Sequence, residues 1–357
     1  MSILDDLNAL QANDPENMYN RIFDLPEQMQ DALRIGQSWQ IDANDFSDIK
    51  NIVIIGMGGS AIGGDLARTF LQSKLLVPFS ICRHYQLPEY VDDESLVIAS
   101  SYSGNTEETL AAVDDAINRK AMIAAMTTDG MLEDLCKLND IPYVTLPAGL
   151  QPRAALGYSF VPLMVFFEKI KLIRNVSSEL EKVVNGLKRF RDPYIEGNKT
   201  EDNPAKTLAE KIQGHLAIIY TGPTLIDAVG IRWKGQICEN SKNLAFVNQF
   251  AEFNHNELVG WSEVAAQHAD HLIVIMLHDK DDHPQIQKRM EIVRGLIKKT
   301  GVEVIDIDSQ GDTVLTRMFS LIQFGDFVSY YLAALNRVDP TPVHVIQELK
   351  GALLQKA

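Results

Sequence analysis

Two turns rich in glycine and hydroxyl residues follow apolar segments in the first third of the chain. The first reads IIGMGGSAIGGDLA over residues 54–67, and the second reads ASSYSGNTEETL over residues 99–110. Glycines allow close approach of a ligand to the backbone, and the first N–H groups of a following helix can bind an anion. Ser101, Ser103 and Thr106 add three hydroxyl groups to the second turn. These residue types favour phosphate binding.

The glycine turn taken alone leaves other interpretations open. Residues 56–61 satisfy the relaxed G-x-G-x-x-A dinucleotide pattern, but that pattern needs an acidic residue after the next strand, where Arg83 and His84 stand. A P-loop needs a lysine after its last glycine, and none follows Gly64. A tight strand–helix turn without a ligand remains possible.

The serine turn also has a simpler explanation. Asn105 followed by Glu108 resembles a capping box, in which polar side chains bond the free N–H groups at the start of a helix. One cap requires only one such residue, whereas this turn holds several. In a doubly wound sheet, both turns would lie at the edge where ligands bind.

Candidate acid–base residues stand in the second half. Glu239 follows WKGQI near a predicted helix end, and His255 lies in the predicted loop NHNE after an apolar strand. The simpler alternatives are a surface glutamate and an ordinary loop histidine. Removal of a proton beside a carbonyl group needs a base and a group that stabilises the developing negative charge.

Apolar runs alternate with helix-like stretches along the chain. This alternation predicts an α/β fold with two doubly wound domains, each a parallel sheet flanked by helices. We expect an N-terminal helical segment plus a first domain over residues 1–175, a helical crossover or linker over 176–206, and a second domain with a C-terminal helix over 207–357. Strands are expected at 51–56, 75–81, 95–100, 121–127, 142–147, 215–222, 243–250, 270–277 and 302–307.

Composition limits the classes of function. The 357 residues carry a net charge of −15, which disfavours binding to nucleic acid. Cys82, Cys136 and Cys238 are far apart, so they form no zinc-ribbon or dithiol pattern. The acidic N-terminus is unlike a signal peptide, and we see no apolar run long enough to predict a membrane span. We expect a soluble cytoplasmic protein.

The two turns resemble the SIS (sugar isomerase) domain, whose hallmark S-x-S-G-x-T is matched throughout residues 101–106. The whole chain resembles the bifunctional phosphoglucose/phosphomannose isomerases of archaea and bacteria. The stretches that carry this resemblance, in the family's order, are GMGGSAIGGD, SYSGNTEET, LQPRAALGYS, ENSKN, EFNHNELVGW and IQELK.

The resemblance implies that the protein interconverts glucose 6-phosphate, and also mannose 6-phosphate, with fructose 6-phosphate in a homodimer. Such an isomerisation requires no redox cofactor and no metal. Substrate phosphate would be bound by Gly58, Gly59, Ser60, Ser101, Ser103 and Thr106.

The same resemblance assigns catalytic roles. Glu239 aligns with the base, Arg153 with the arginine beside the enediolate, and Lys350 with the lysine near the ring oxygen. His255 aligns with the ring-opening histidine, which the family contributes from the neighbouring subunit. Thr341 is a candidate for the threonine linked to accepting mannose phosphate.

Three alternatives remain at the level of sequence. A catalytically silent sugar-phosphate sensor would keep the phosphate turns but would not need the four catalytic residues. An enzyme acting on amino sugars would need an amide-transfer domain or an amine site. The histidines of HADH (268–271) and HDKDDH (278–283) suggest a zinc site.

Overall fold

The computed structural model describes residues 2–354 and contains two parallel β-sheets. One sheet has the strand order β2-β1-β3-β4-β5, and the other has the order β7-β6-β8-β9. The strands are β1 (Asn51–Ile55), β2 (Phe79–Cys82), β3 (Ser95–Ser100), β4 (Met122–Thr127), β5 (Tyr143–Thr145), β6 (Leu216–Thr221), β7 (Ala245–Gln249), β8 (Leu272–His278) and β9 (Glu303–Asp308).

Helices cover both faces of each sheet. They are α1 (Leu7–Asn13), α2 (Met18–Phe23), α3 (Leu25–Ser38), α4 (Gly58–Leu71), α5 (Glu107–Asn118), α6 (Met131–Leu138), α7 (Leu156–Lys169), α8 (Val176–Phe190), α9 (Pro204–Ile212), α10 (Asp227–Ser241), α11 (Glu263–Ala266), α12 (Pro284–Lys298), α13 (Val314–Leu335) and α14 (His344–Leu354). Short 3-10 helices join several of them.

The buried strands follow from their apolar sequences. Every residue of β1 (NIVII) and of β3 (SLVIAS) is buried, as expected for a parallel sheet covered on both faces. The strand order reverses between β1 and β3, and again between β6 and β8. The prediction of two doubly wound α/β units is therefore confirmed, and each has a topological switch point where ligands bind in such folds.

One apolar core lies between the two sheets and contains residues of both. Its central element is α13, which packs against α8, α9 and α10. This 22-residue helix is long and apolar enough to span a membrane, but 94% of its most apolar window is buried inside the protein. It is the central helix of a folded core, and it ties the second sheet to the first.

The C-terminal part of the segment predicted as a crossover or linker over 176–206 is fixed against the N-terminal segment. Lys206 is fully buried, and its ammonium donates to the carbonyl oxygens of Leu4 (2.5 Å), Glu196 (2.8 Å) and Asn198 (2.7 Å). A buried charge must be hydrogen-bonded, so these contacts hold the crossover against the N-terminal segment. Turn-rich composition alone does not reveal such a contact.

Candidate active site

The first turns of α4 and α5 lie at the β1/β3 switch point, and neither receives a side-chain cap. Met57 precedes α4 and Thr106 precedes α5, and neither side chain accepts a hydrogen bond from its helix. The capping explanation of the serine turn is therefore wrong. The N–H groups at both helix starts remain available to an anion, as helix N-termini in phosphate sites are.

Direct hydrogen bonds join the two turns. The Ser60 hydroxyl accepts from the N–H of Tyr102 at 3.0 Å, and the Ser100 hydroxyl donates to the carbonyl of Ser60 at 3.0 Å. Ser101 is buried, and its hydroxyl donates to Thr106 Oγ1 at 3.1 Å. Ser103 is exposed. The predicted phosphate residues thus belong to two turns that are joined by hydrogen bonds, and this candidate site is here called the anion cradle: Gly58, Gly59, Ser60, Ser101, Ser103 and Thr106.

Gly59 fixes the position of Arg153 relative to the anion cradle. A Cβ atom at Gly59 would lie 2.5 Å from the carbonyl carbon of Pro152 and 2.7 Å from the backbone nitrogen of Arg153. Only glycine permits this approach between α4 and the 3-10 helix Pro152–Ala154. Glycine is therefore needed here for packing as well as for the predicted anion binding, since it brings the arginine to the helix start.

Every nitrogen of the Arg153 guanidinium has a partner. Nε donates to Asn240 Oδ1 at 2.6 Å, and Nη1 lies 3.3 Å from Glu239 Oε2. Nη2 donates to the carbonyls of Pro340 and Thr341, each at 2.7 Å. Burial lowers the pKa of Arg153, which Glu239 opposes, yet the ordinary value of 12.5 is so high that arginine stays charged in proteins. The site thus contains a permanent, immobile positive charge.

Glu239 belongs to the last turn of α10 and keeps 34% of its side chain exposed. It opens onto a cleft between α4 and α10, which the anion cradle reaches through Gly58 and Gly59. The remaining lining residues are Ile62, Arg153, Ile231, Arg232, Lys234, Gly235 and Gln236. Glu239 from the second half of the chain and the two glycines from the first half therefore line the same cleft.

His255 does not join this cleft within one chain. Helix α10 leads from the C-terminal end of β6 to the opposite edge of the second sheet. Strand β7 begins at that edge and runs parallel to β6. Glu239 is therefore at one end of the second sheet, and the exposed His255 follows the opposite end of β7 in the 3-10 helix Glu252–His255. The five residues of β7 alone span about 16 Å at 3.3 Å per residue.

Lys350 is also separate from the other predicted residues. It lies in α14, where every residue from 344 to 350 is exposed. The apolar side chains of this helix are exposed as well, including Val345 at 80% and Leu349 at 60%. Thr341, by contrast, is 3% exposed, and its hydroxyl has no hydrogen-bond partner among residues 2–354.

Two residues of the ENSKN stretch were not assigned from the sequence. Asn240 contacts Arg153 directly, and the Lys242 ammonium donates to the carbonyls of Glu239 (2.6 Å) and Pro340 (3.3 Å). Burial, and then the nearby charge of Arg153, lowers the pKa of Lys242 to about 8. Their position within three residues of Glu239 was the feature of the sequence that could have pointed to a role in the site.

Two of the histidines considered for zinc, His278 and His283, contact other residues. His278 Nε2 lies 3.0 Å from Asp306, and His283 accepts from the N–H of Gln285 at the start of α12. Across residues 2–354, no three His, Cys, Asp or Glu side chains are grouped to hold a metal ion.

Comparison with protein families gives two matches along the chain. Residues 45–142 match the SIS domain, and residues 201–353 match the bacterial phospho-glucose isomerase C-terminal SIS domain. The first matched segment contains β1 to β4, and the second contains β6 to β9.

Similar proteins cover nearly the full length. The bifunctional phosphoglucose/phosphomannose isomerase of Caldicellulosiruptor bescii is 46% identical over 95% of this chain and 99% of its own. The enzyme of the same name from Aquifex aeolicus is 33% identical over 89% of this chain and 95% of its own. The crystal structure of tagatose-6-phosphate ketose/aldose isomerase from Escherichia coli covers 91% of this chain and 94% of its own, with a TM-score of 0.70 at 15% identity. That structural likeness concerns the fold.

Proposed function

The chain belongs to the family of bifunctional phosphoglucose/phosphomannose isomerases, and from this premise we propose that it interconverts glucose 6-phosphate and mannose 6-phosphate with fructose 6-phosphate. The observation that carries the proposal is the pairing of Glu239 with Arg153 at 3.3 Å beside an uncapped anion cradle. A silent sugar-phosphate sensor needs the cradle but has no use for a buried arginine beside a carboxylate.

The first chemical step is removal of a proton from C2 of the open-chain aldose. The carboxylate of Glu239 takes this proton, and the electron pair of the C2–H bond forms the C1–C2 double bond of an enediolate. The negative charge develops on the carbonyl oxygen, O1. Glu239 then returns the proton to C1, and the proton of the O2 hydroxyl passes to O1, so that C2 becomes the ketone and O1 becomes a hydroxyl. No proton or electron is gained or lost overall.

Arg153 supplies the charge that stabilises the enediolate. Its guanidinium is 4% exposed and bonded on every nitrogen, so it does not need to reorganise when charge develops on the substrate. A fixed positive charge in a buried site acts more strongly than the same charge in water. This is the preorganisation that proton abstraction beside a carbonyl requires.

A single base, Glu239, can serve both glucose 6-phosphate and mannose 6-phosphate. Glucose and mannose phosphates give the same enediol, because they differ only in configuration at C2. A site that allows rotation about C2–C3 can protonate either face. The buried hydroxyl of Thr341, which has no partner within residues 2–354, supports a role for this residue in accepting the mannose configuration.

Ring opening is assigned to His255 of a second subunit, together with Lys350. Within one chain, His255 lies at the other end of the second sheet from Glu239. The exposed apolar side chains Leu244, Phe246, Val259 and Val264, near this histidine in the sequence, suit an interface between two copies. These features support a homodimer in which each subunit completes its neighbour's site.

The cytoplasm is the proposed location of this enzyme. Cys82, Cys136 and Cys238 are all free thiols, which suits a reducing compartment.

An assay of the purified protein tests the function. Glucose 6-phosphate and mannose 6-phosphate are each supplied, and formation of fructose 6-phosphate is followed by NMR. We expect product from both. Tight binding of either sugar phosphate without any turnover would favour the silent sensor.

A further inference from the structure

A stripe of polar residues runs along the buried face of α10. Arg232, Gln236 and Asn240 recur at every fourth position, so they lie on one face of the helix. All three are at most 5% exposed. On the facing helix, α13, Asp326 and Ser329 are equally buried. A polar seam between two core helices is unusual, since apolar side chains would pack there at lower cost.

The seam holds Arg153 at two points. The side chain is held by Asn240, whose Oδ1 accepts from Arg153 Nε at 2.6 Å. The backbone is held by Arg232, whose Nη2 donates to the carbonyl of Arg153 at 3.0 Å and to Asp326 at 2.6 Å. The arginine beside the proposed base is therefore fixed from the core, independently of any substrate.

Ser329 determines which way the Asn240 amide points. The Asn240 Nδ2 donates to Ser329 Oγ at 2.9 Å, and that hydroxyl donates to the carbonyl of Asp326 at 2.7 Å. With its nitrogen committed to Ser329, the amide must present its oxygen to Arg153. Without this partner the amide is free to rotate and can place two donors against a guanidinium, which has no acceptor.

We propose that Asn240, oriented by Ser329, is a positioning residue that holds the Arg153 guanidinium at the developing enediolate. This inference rests on the proposed isomerase function. Asn240 is suited to the task because its amide is neutral. An aspartate at the same point would neutralise much of the arginine's charge and weaken its action on both Glu239 and the enediolate.

A matched pair of serines tests the orienting contact. Ser329 and Ser320 are both buried on α13, and each donates to the carbonyl three residues earlier at 2.7 Å. Ser320 otherwise accepts only from the backbone of Gln310, away from the cleft. Ser329→Ala should lower kcat about tenfold to a hundredfold with KM within about twofold, since small misplacements at a reacting centre have effects of this size. Ser320→Ala should leave kcat unchanged.

The charge argument is tested by Asn240→Asp. The new carboxylate adds negative charge beside Arg153 and near Glu239, so the acid limb of the kcat–pH profile should move to higher pH. The other charged groups near this point are Arg21, Arg153, Arg232, Lys242, Asp326 and Asp339. A loss of packing alone would lower kcat at all pH values and would leave the limb in place.

The outcomes separate this inference from the function itself. If the wild-type protein isomerises neither sugar phosphate, the proposed function fails. If the wild type is active but Ser329→Ala behaves like Ser320→Ala, and Asn240→Asp leaves the acid limb unmoved, the positioning role is wrong while the function stands. Thermal unfolding of each variant shows whether it is folded. If Ser329→Ala is destabilised, Ser329→Thr, which keeps the hydroxyl, should restore kcat.

Discussion

The carboxylate of Glu239 and the guanidinium of Arg153 lie 3.3 Å apart although 86 positions separate them in the chain. The first is on α10 of the second half, and the second is on the 3-10 helix that packs against α4 of the first half. The proposed base and its stabilising charge therefore meet only when the two halves are folded together.

Gly59 should tolerate no side chain. In Gly59→Ala, the added Cβ would lie 2.5 Å from the Pro152 carbonyl carbon, so the segment carrying Arg153 must move. We expect kcat/KM to fall by about a hundredfold or more, with a loss of about 1–3 kcal/mol in the free energy of unfolding. Gly295→Ala is the matched control, because apart from its chain neighbours and its own helix backbone no atom of residues 2–354 lies within 4 Å of its added Cβ. Equal activity of the two variants would contradict the contact.

Thr341→Val should change sugar preference without destabilising the fold. The Thr341 hydroxyl is buried and lacks a partner within residues 2–354, so its removal leaves no protein group unpaired. We expect kcat/KM for mannose 6-phosphate to fall about tenfold relative to that for glucose 6-phosphate, the equivalent of one lost hydrogen bond. Thr221→Val removes another buried hydroxyl without a partner and should leave the ratio unchanged. An unchanged ratio in Thr341→Val would remove Thr341 from substrate selection.

Two inactive variants should restore activity when mixed. If a site combines Glu239 of one chain with His255 of the other, a dimer of Glu239→Gln with His255→Ala contains one intact site. Random exchange of subunits in an equal mixture should give about one quarter of the wild-type activity, because half of the dimers are mixed and each has one of two sites intact. Exchange is verified with differently tagged chains. Verified exchange without any recovery would mean that each chain builds its own site.

Lys242 should give the stability of the protein a measurable pH dependence. Its pKa is lowered in the folded state from 10.5 to about 8, so between these values the unfolded chain binds more protons than the folded chain. The contribution of Lys242 to stability therefore rises with pH in this window. Urea unfolding under reducing conditions gives the free energy of unfolding of Lys242→Met and of the wild type. The value for the variant minus the value for the wild type should fall between pH 8 and 10. Lys298→Met, an exposed lysine of α12, should show a constant difference, and a constant difference for Lys242→Met would contradict the lowered pKa.

Much of the fold could be predicted from the sequence because local pattern determines it. Apolar runs such as NIVII and SLVIAS indicate strands buried on both faces, and both strands form where expected. The glycine and serine turns could be located for the same reason, since each follows such a strand directly. Some observed bounds differ from the expected ones by a few residues, since β5 covers Tyr143–Thr145 where 142–147 was expected. Helix α4 begins at Gly58, where a positive φ of 49° is accessible to glycine.

The contacts within the site could not be predicted in the same way. Arg153 bonds residues 86 to 188 positions away, and no periodic pattern links positions so distant. The roles of Asn240 and Ser329 were missed because a buried amide and a buried hydroxyl resemble ordinary helix residues until the facing helix is known. Family resemblance pointed to Glu239 and Arg153, whereas the polar seam that supports them emerges only from the packing of α10 on α13.

The central claim is that the Glu239 carboxylate transfers the proton, and Glu239→Gln tests it most directly. Glutamine keeps the size of the side chain but cannot accept the proton, so kcat for both aldose phosphates should fall by about 10²–10⁴ or more. Fructose 6-phosphate should bind to the variant with nearly unchanged affinity, as measured by calorimetry, and Glu291→Gln on exposed α12 should retain full activity. Wild-type turnover by Glu239→Gln would contradict the account.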